Sequence, residues 1–282
     1  MGFSAMPALG LLALVYLWRW RVNLREERVP ASEKLLRPAG EGLRLRIGEL
    51  DEKFTDTFFI CLGAPPLAAA FLLLPGHDFH PLRLPAAIVA ASVAFIVFAR
   101  RLFGQAEELR NYRLGFHGER AAAEEINRLM LDGCRVFHDV PMEPYGNIDH
   151  VIVAPSGVYA VETKTRRKRK TKPGTQDYNV VFDGKALQFP HYADTESAAQ
   201  ARQQADRLRA LLTKAVVEPV RVSPILTLPG WLVSSAVKDG MKVVNPKQIR
   251  DVVMSEKGPA LGSQLIKRIS HQLDQMCRDV AL

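Results

Sequence analysis

GNIDHVIVAPSGVYAVETK, residues 146–164, reads as two short strands joined by a Pro-Ser-Gly turn. Val151, Ile152, Val153 and then Val158, Tyr159, Ala160 and Val161 are apolar almost without interruption, the pattern of a strand pair buried on both faces. Residues two apart in a strand share a face, so Glu162 and Lys164 project together. Antiparallel pairing of the two strands would set Asp149 beside Glu162. Two carboxylates and an ammonium then converge at the end of a buried strand pair, where an unpartnered charge costs roughly several kcal/mol. Hard divalent cations such as Mg2+ or Mn2+ favour oxygen ligands of this kind. A metal held by carboxylates beside a lysine can activate water and neutralise charge on a phosphodiester. On these residues alone the plainer reading stays open, because Asp, Glu and Lys at strand ends are usually solvated.

Directly after the second strand comes a cationic run. Lys164, Arg166, Arg167, Lys168, Arg169, Lys170 and Lys172 put seven basic residues into nine positions, and the chain as a whole carries a formal net charge of +8. Such a run can track a DNA or RNA backbone with salt-dependent affinity. It can equally lie on an anionic lipid surface at roughly 1 kcal/mol per basic residue, or remain a solvated loop. No aromatic residue interleaves with it, so base stacking is not indicated there. The three cysteines, Cys61, Cys134 and Cys277, show neither CxxC nor zinc-ligand spacing. Structural zinc is therefore not expected, and a reducing compartment is.

Around this segment the pattern is that of a mixed α/β domain from about residue 105 onward. AEELRNYRLGFHGERAAAEEINRLM (106–130) is helix-forming with a break expected at Gly115, and Ile126, Leu129 and Met130 form its apolar stripe. CRVFHDVPM reads as a strand. Tyr145, Gly146 and Asn147 form a turn feeding the next one. Asp183-Gly184 signals a hairpin within NVVFDGKALQF. An amphipathic helix follows, capped by Asp194 or Thr195. VRVSPILTL and LVSSAVKDGMKVV read as one strand each, and two helical stretches close the chain.

The first hundred residues differ in kind. Runs at 3–18, 58–74 and 84–99 are apolar with at most one Ser, just under the ~20 residues that span a bilayer. Buried core helices are the alternative for the second and third, and a cleaved secretory peptide for the first. Pro65-Pro66 would kink or break the second run. Arg19, Arg21, Arg25, Arg28, Arg44, Arg46 and Lys53 lie between the first and second runs, and Arg100 and Arg101 follow the third. By the positive-inside rule this predicts a multi-pass protein of a bacterial-type inner or plasma membrane, with residues 1–104 as the membrane region and residues 105–282 as a cytoplasmic domain.

GERAAAEEI, GNIDHVIVAPSGVYAVETK and QARQQADRLRALL, in this order over roughly residues 113–215, resemble the nuclease-related domain (NERD) family of the PD-(D/E)xK restriction-endonuclease-like superfamily. The resemblance implies a restriction-endonuclease-like mixed sheet flanked by helices. It implies that Asp149 and Glu162, with the backbone carbonyl of Thr163, bind Mg2+ or Mn2+. Lys164 would orient or activate the attacking water, or stabilise charge on the phosphate. Glu119 would be the additional acidic residue near the metal, and Gln200 would help shape the site from the following helix. Two departures stand out. HYADTESAAQ replaces the Asn-Pro that often precedes the glutamine helix, and the loop after Lys164 is more basic than is usual. His150 is either a proton carrier beside Asp149 or a histidine packed against the sheet.

The expectation is a membrane-anchored, metal-dependent nuclease acting on DNA, or on RNA, with Arg166, Arg167, Lys168, Arg169, Lys170 and Lys172 contacting the substrate. The alternative is a non-catalytic membrane protein that binds nucleic acid or lipid through the 164–172 loop.

Overall fold

The computed structural model describes residues 34–73, 83–168, 177–237, 241–256 and 260–280, together with Leu14, Leu17 and Arg21; at 68–73 and at 83 it describes the backbone alone. The expected span at 3–18, apart from Leu14 and Leu17, and the basic residues Arg169, Lys170 and Lys172 lie outside the described residues. The chain divides into two compact units, Met1–Leu35 with Val280–Leu282, and Leu36–Asp279. The second unit holds the five- and four-stranded sheets, their helices and the cleft.

Apolar alternation and turn chemistry build a five-stranded sheet. Its strands are β1 (Arg135–Pro141), β2 (Asn147–Ala154), β3 (Gly157–Thr163), β7 (Val222–Thr227) and β9 (Lys242–Val244). Their order is β9-β7-β3-β2-β1, with β1, β2 and β3 antiparallel and β3, β7 and β9 parallel. β3 is central and every one of its residues is buried, as its unbroken apolar run predicts. A two-residue loop joins β2 to β3, pairing Ala154 with Gly157. Gly157 takes a φ of 149°, which L side chains rarely adopt, so glycine is needed there.

Four helices flank this sheet. On one face lie α3 (Ser197–Val216) and α5 (Ser263–Cys277). Ala201, Ala205, Leu208, Leu212 and Val216 repeat at helical spacing along α3 and are buried. The last four pack with Ile269 and Leu273 of α5 against Val151, Val153, Val158 and Ala160, and burying each such branched side chain stabilises the fold by about 1.5–3 kcal/mol. On the other face, Ala122 and Ile126 of α2 (Arg83–Asn127) join Ile249 and Val253 of α4 (Ile249–Ser255) over Ile152, Tyr159, Val161 and Ile225. A second, four-stranded sheet holds β4 (Asn179–Phe182), β5 (Leu187–Gln188), β6 (Ala193–Asp194) and β8 (Leu232–Ser235) in the order β6-β5-β4-β8. The Asp183-Gly184 hairpin joins β4 to β5 as expected, with the Asp183 carboxylate accepting the Lys185 and Ala186 N–H groups.

Several expectations are corrected. α2 runs unbroken through Gly115. A glycine costs a helix interior about 1 kcal/mol relative to alanine, and packing outweighs that here, because Leu43 of α1 (Glu41–Leu73) sits 3.2 Å from where a Cβ would stand. α1 likewise continues past Pro65 and Pro66 to Leu73. Met130 is exposed although Leu129 is buried, because a 3₁₀ turn over Arg128–Asp132 ends the α-helical phase. LVSSAVKDGMKVV splits into two strands, β8 and β9, which belong to different sheets. Of the three spans expected, one helix among the described residues is long and apolar enough to cross a membrane, namely α2 with the turn that follows it.

α1 and α2 lie antiparallel. Gln105 donates to the Thr57 hydroxyl at 3.1 Å, and Arg113 pairs with Asp51 at 2.9 Å. Nearer the site, α2 passes so close to the chain leaving β3 that a Cβ on Gly118 would stand 1.6 Å from the Thr165 hydroxyl and 2.8 Å from its Cβ. Replacing Gly118 with Ala is expected to lower stability by about 1–3 kcal/mol through overpacking, read as a drop in thermal midpoint, with partial recovery in Gly118→Ala/Thr165→Gly. An unchanged midpoint in the single variant would contradict this contact.

Candidate active site

The register of β2 on β3 pairs His150 with Val161, which carries Asp149 opposite Glu162 at the end of the ladder. The pairing is closed by the Asp149 carboxylate, which accepts the Thr163 N–H at 2.6 Å. Glu162 and Lys164 lie on one face as their spacing requires, with Lys164 Nζ 2.6 Å from Glu162 Oε1. The Lys164 backbone N–H donates to the Thr227 carbonyl at 2.9 Å, extending the parallel ladder to β7. Two helices complete the cleft. α2 contributes Glu119, and α3 contributes Gln200, whose side-chain oxygen accepts from Lys164 Nζ at 2.9 Å. Asp149, Glu162, Thr163, Lys164, Glu119 and Gln200 thus line one cleft of about 490 Å³, together with Leu43, Asn111, Leu114, Gly115, Thr165, Arg166 and Arg167.

The electrostatics follow from crowding three carboxylates around one ammonium. Burial pushes the Glu119 carboxyl up to about 8, reinforced by Asp139 and Glu162 and opposed by Lys164. Burial raises Asp149 well above the usual carboxylate range, and Glu162 and Glu119 add to the effect. Glu162 Oε2 and the hydroxyl oxygens of Thr163 and Thr165 are buried with no hydrogen-bond partner. An unmet buried acceptor costs about 1–3 kcal/mol. A cation beside Glu162 and Asp149 would remove that cost and offset the excess negative charge, so the donors present fit a hard divalent ion. They are two carboxylates and the Thr163 carbonyl. Among the described residues, no group of three or more His, Cys, Asp or Glu side chains is arranged to hold a metal by itself.

Asp139 belongs to the surroundings of this site and went unrecognised in the sequence. It stands at a φ of 50° inside β1. Its carboxylate accepts from Arg37 at 3.1 Å, Gly42 N–H at 3.0 Å and Asn147 at 3.1 Å. The available signal was a lone carboxylate within the apolar strand RVFHDVP. His150 takes the packed reading. His150 Nδ1 and His138 Nδ1 are 2.8 Å apart, and His138 Nε2 meets the Asn127 side-chain oxygen at 2.9 Å. Burial lowers His138 to about 4 and His150 well below its usual range.

The described part of the basic run is more engaged than a free cationic loop. Arg166 pairs with Asp194 at 2.7 Å. Arg167 donates to the Asn111 side chain at 2.6 Å and to the Arg110 carbonyl at 2.9 Å on α2. Lys168 lies over Trp231 at 5.3 Å and Tyr178 at 5.9 Å from the ring centroids. Aromatic rings therefore do meet this run, supplied by other elements that no local pattern would reveal. The N-cap of α3 is Glu196 rather than Asp194 or Thr195 as expected, yet Asp194 still meets the backbone just before and at the helix start. Its Oδ1 accepts the Glu196 and Ser197 N–H groups at 3.1 and 3.0 Å.

Carboxylates and a lysine thus meet at the end of a buried strand, inside a mixed sheet flanked by helices. Residues 114–229 match the family model of the nuclease-related domain (NERD). The match extends past the expected limit near residue 215 to take in β7. Neither curated proteins nor solved structures yield a match to the chain.

The shifted groups make stability pH-dependent. Glu119 and Asp149 keep protons in the folded protein that they release on unfolding, so above their ordinary range stability falls as pH rises. His138 and His150 act oppositely, but only below the ordinary histidine value of 6.5. Between pH 6.5 and about 8 the carboxyl effect stands alone, and the thermal midpoint is expected to decline. Glu119→Gln should flatten that decline, and Mg2+ or Mn2+ should raise the midpoint more at pH 8 than at pH 6.5. A midpoint that rises over this window in wild type and variant alike would refute the assignment.

Proposed function

We propose that this chain is a membrane-anchored, metal-dependent nuclease that hydrolyses phosphodiester bonds in DNA, with RNA as the second substrate to test. The observation that carries the reading is the convergence of Asp149, Glu162 and Lys164, with three unpartnered buried oxygens, in one cleft of a chain that matches the nuclease-related domain. Asp149, Glu162 and the Thr163 carbonyl would hold Mg2+ or Mn2+. That ion would supply charge neutralisation at the scissile phosphate and a water made more acidic. Lys164, held by Glu162 and Gln200, is placed to orient the attacking water or to meet charge developing on the phosphate oxygens. Glu119, with its carboxyl raised to about 8, can take up or release a proton at the cleft near neutral pH. Arg167 and Lys168, with Arg169, Lys170 and Lys172 next in sequence, would contact the nucleic-acid backbone.

Support for the anchor comes from the helical pair. Phe59, Leu62, Leu67, Ile88, Val93 and Ile96 are all exposed. Only 6% of the apolar window of α2 is buried, unlike a core helix. Exposed apolar surface on this scale needs a cover, and a bilayer with the 105–282 region on the cytoplasmic side provides one. Alkaline extraction should leave the chain in the membrane pellet, and release into the supernatant would overturn the anchor.

Cleavage is tested on the full chain in detergent, with plasmid, linear and single-stranded substrates. Mg2+ or Mn2+ should be required, and Asp149→Asn or Lys164→Ala should each slow cleavage by at least about a hundredfold. Cleavage that persists in both variants would rule the site out. The second reading, a tethered nucleic-acid- or lipid-binding protein without hydrolysis, draws on the basic run at 164–172. Salt-sensitive binding to DNA or to anionic vesicles, without metal-dependent cleavage, would favour it.

A further inference from the structure

Arg166 begins the cationic run and would ordinarily be assigned to phosphate binding. Its surroundings argue otherwise. Its guanidinium donates to Asp194 Oδ2 at 2.7 Å, and the Asp194 side chain is only 8% exposed. The Arg166 carbonyl accepts the Trp231 indole N–H at 3.3 Å, so side chain and backbone are both held. Asp194 in turn secures the start of α3. Its Oδ1 takes the Glu196 and Ser197 N–H groups, and its Oδ2 accepts the Ser197 hydroxyl at 2.8 Å. Burial alone would raise the Asp194 carboxyl, yet the hydrogen bonds from Ser197 and Arg166 hold it down to about 2. One turn into α3 stands Gln200, whose backbone N–H donates to the Glu196 carbonyl at 2.9 Å and whose side chain accepts from Lys164.

We infer that Arg166 and Asp194 are positioning residues for the proposed reaction: they pin the first turn of α3 so that Gln200 holds the Lys164 ammonium at the cleft. The contacts form a closed ring, from Lys164 to Gln200, back through the first turn of α3 to Asp194, across to Arg166, and along two residues of chain to Lys164. A ring of this kind restrains Lys164 from both ends. A charge-assisted pair whose carboxylate is buried, as here, is stronger than a fully exposed one. The inference rests on the nuclease reading for its kinetic consequence and on the contacts alone for its structural one.

The test uses the full chain and two readouts. In cleavage assays, Asp194→Asn and Arg166→Met should each lower kcat on the order of ten- to a hundredfold, with KM and its salt dependence nearly unchanged. Arg166→Lys should recover part of the rate. Asp194→Asn/Gln200→Ala should be no slower than Gln200→Ala, because both act through one contact. A raised KM with a shallower salt dependence in Arg166→Met would overturn the inference and make Arg166 a phosphate contact. So would rate losses that multiply in the double variant. The second readout needs no activity: the rate at which a small amine-reactive ester modifies Lys164, followed by peptide mass spectrometry at fixed pH. It should change in Asp194→Asn to the value seen in Gln200→Ala, with circular dichroism unaltered. An unchanged rate in Asp194→Asn overturns the inference even if wild type cleaves nothing, while absence of cleavage with the expected change in rate overturns the nuclease reading alone.

Discussion

Like charges are forced together at the end of β3, and the rest of the domain is arranged around that constraint. Glu162 and Asp149 cannot separate by sliding. A one-residue slip of β3 would turn its whole buried set to the wrong face of the sheet. β3 is paired antiparallel on one side and parallel on the other, and its residues lie in two apolar clusters on opposite faces. The apolar burial thus holds the carboxylates where they repel. Three devices offset that repulsion: the Lys164 ammonium, the Thr163 N–H on Asp149, and protons retained by Glu119 and Asp149. A divalent cation would be a fourth, and it would displace the protons.

The helices serve this strand end by bringing single residues to it. α2 delivers Glu119, and can approach only because Gly118 has no side chain to meet Thr165. α3 delivers Gln200 from its first turn. α1 supplies the Gly42 N–H to Asp139, whose charge is felt at Glu119. A Cβ on Gly42 would stand 2.8 Å from Asn147 Nδ2 and 3.2 Å from Asp139 Oδ1, so that approach too depends on glycine. Electrostatic pressure at the cleft is therefore shared by four elements distant in sequence.

Much of this was legible in one dimension because short-range rules governed it. The β2–β3 hairpin, the shared face of Glu162 and Lys164 and the Asp183-Gly184 turn follow from a period of two and from turn chemistry, which act over a few residues. The cleft itself required the family resemblance, since nothing local says that Glu119 and Gln200 meet across 81 positions. What stayed hidden depended on tertiary packing. Gly115 reads as a helix breaker until Leu43 is seen against it. Arg166 reads as a free cation until Asp194 is seen beneath it. Asp139 reads as a blemish in a strand until Arg37, Gly42 and Asn147 converge on it. Lys168 finds aromatic rings only because Tyr178 and Trp231 arrive from elsewhere.

α2 is continuous from Arg83 to Asn127. At 1.5 Å per residue, Ala99, where the apolar run ends, and Glu119 are about 30 Å apart along its axis. A hydrogen-bonded helix does not stretch or shorten appreciably, so it behaves as a strut of set length. Under the proposed anchoring and activity, the strut would hold the cleft at a set distance from the bilayer, and only polynucleotide within that reach would be cut, a selection by geometry that needs no sequence recognition.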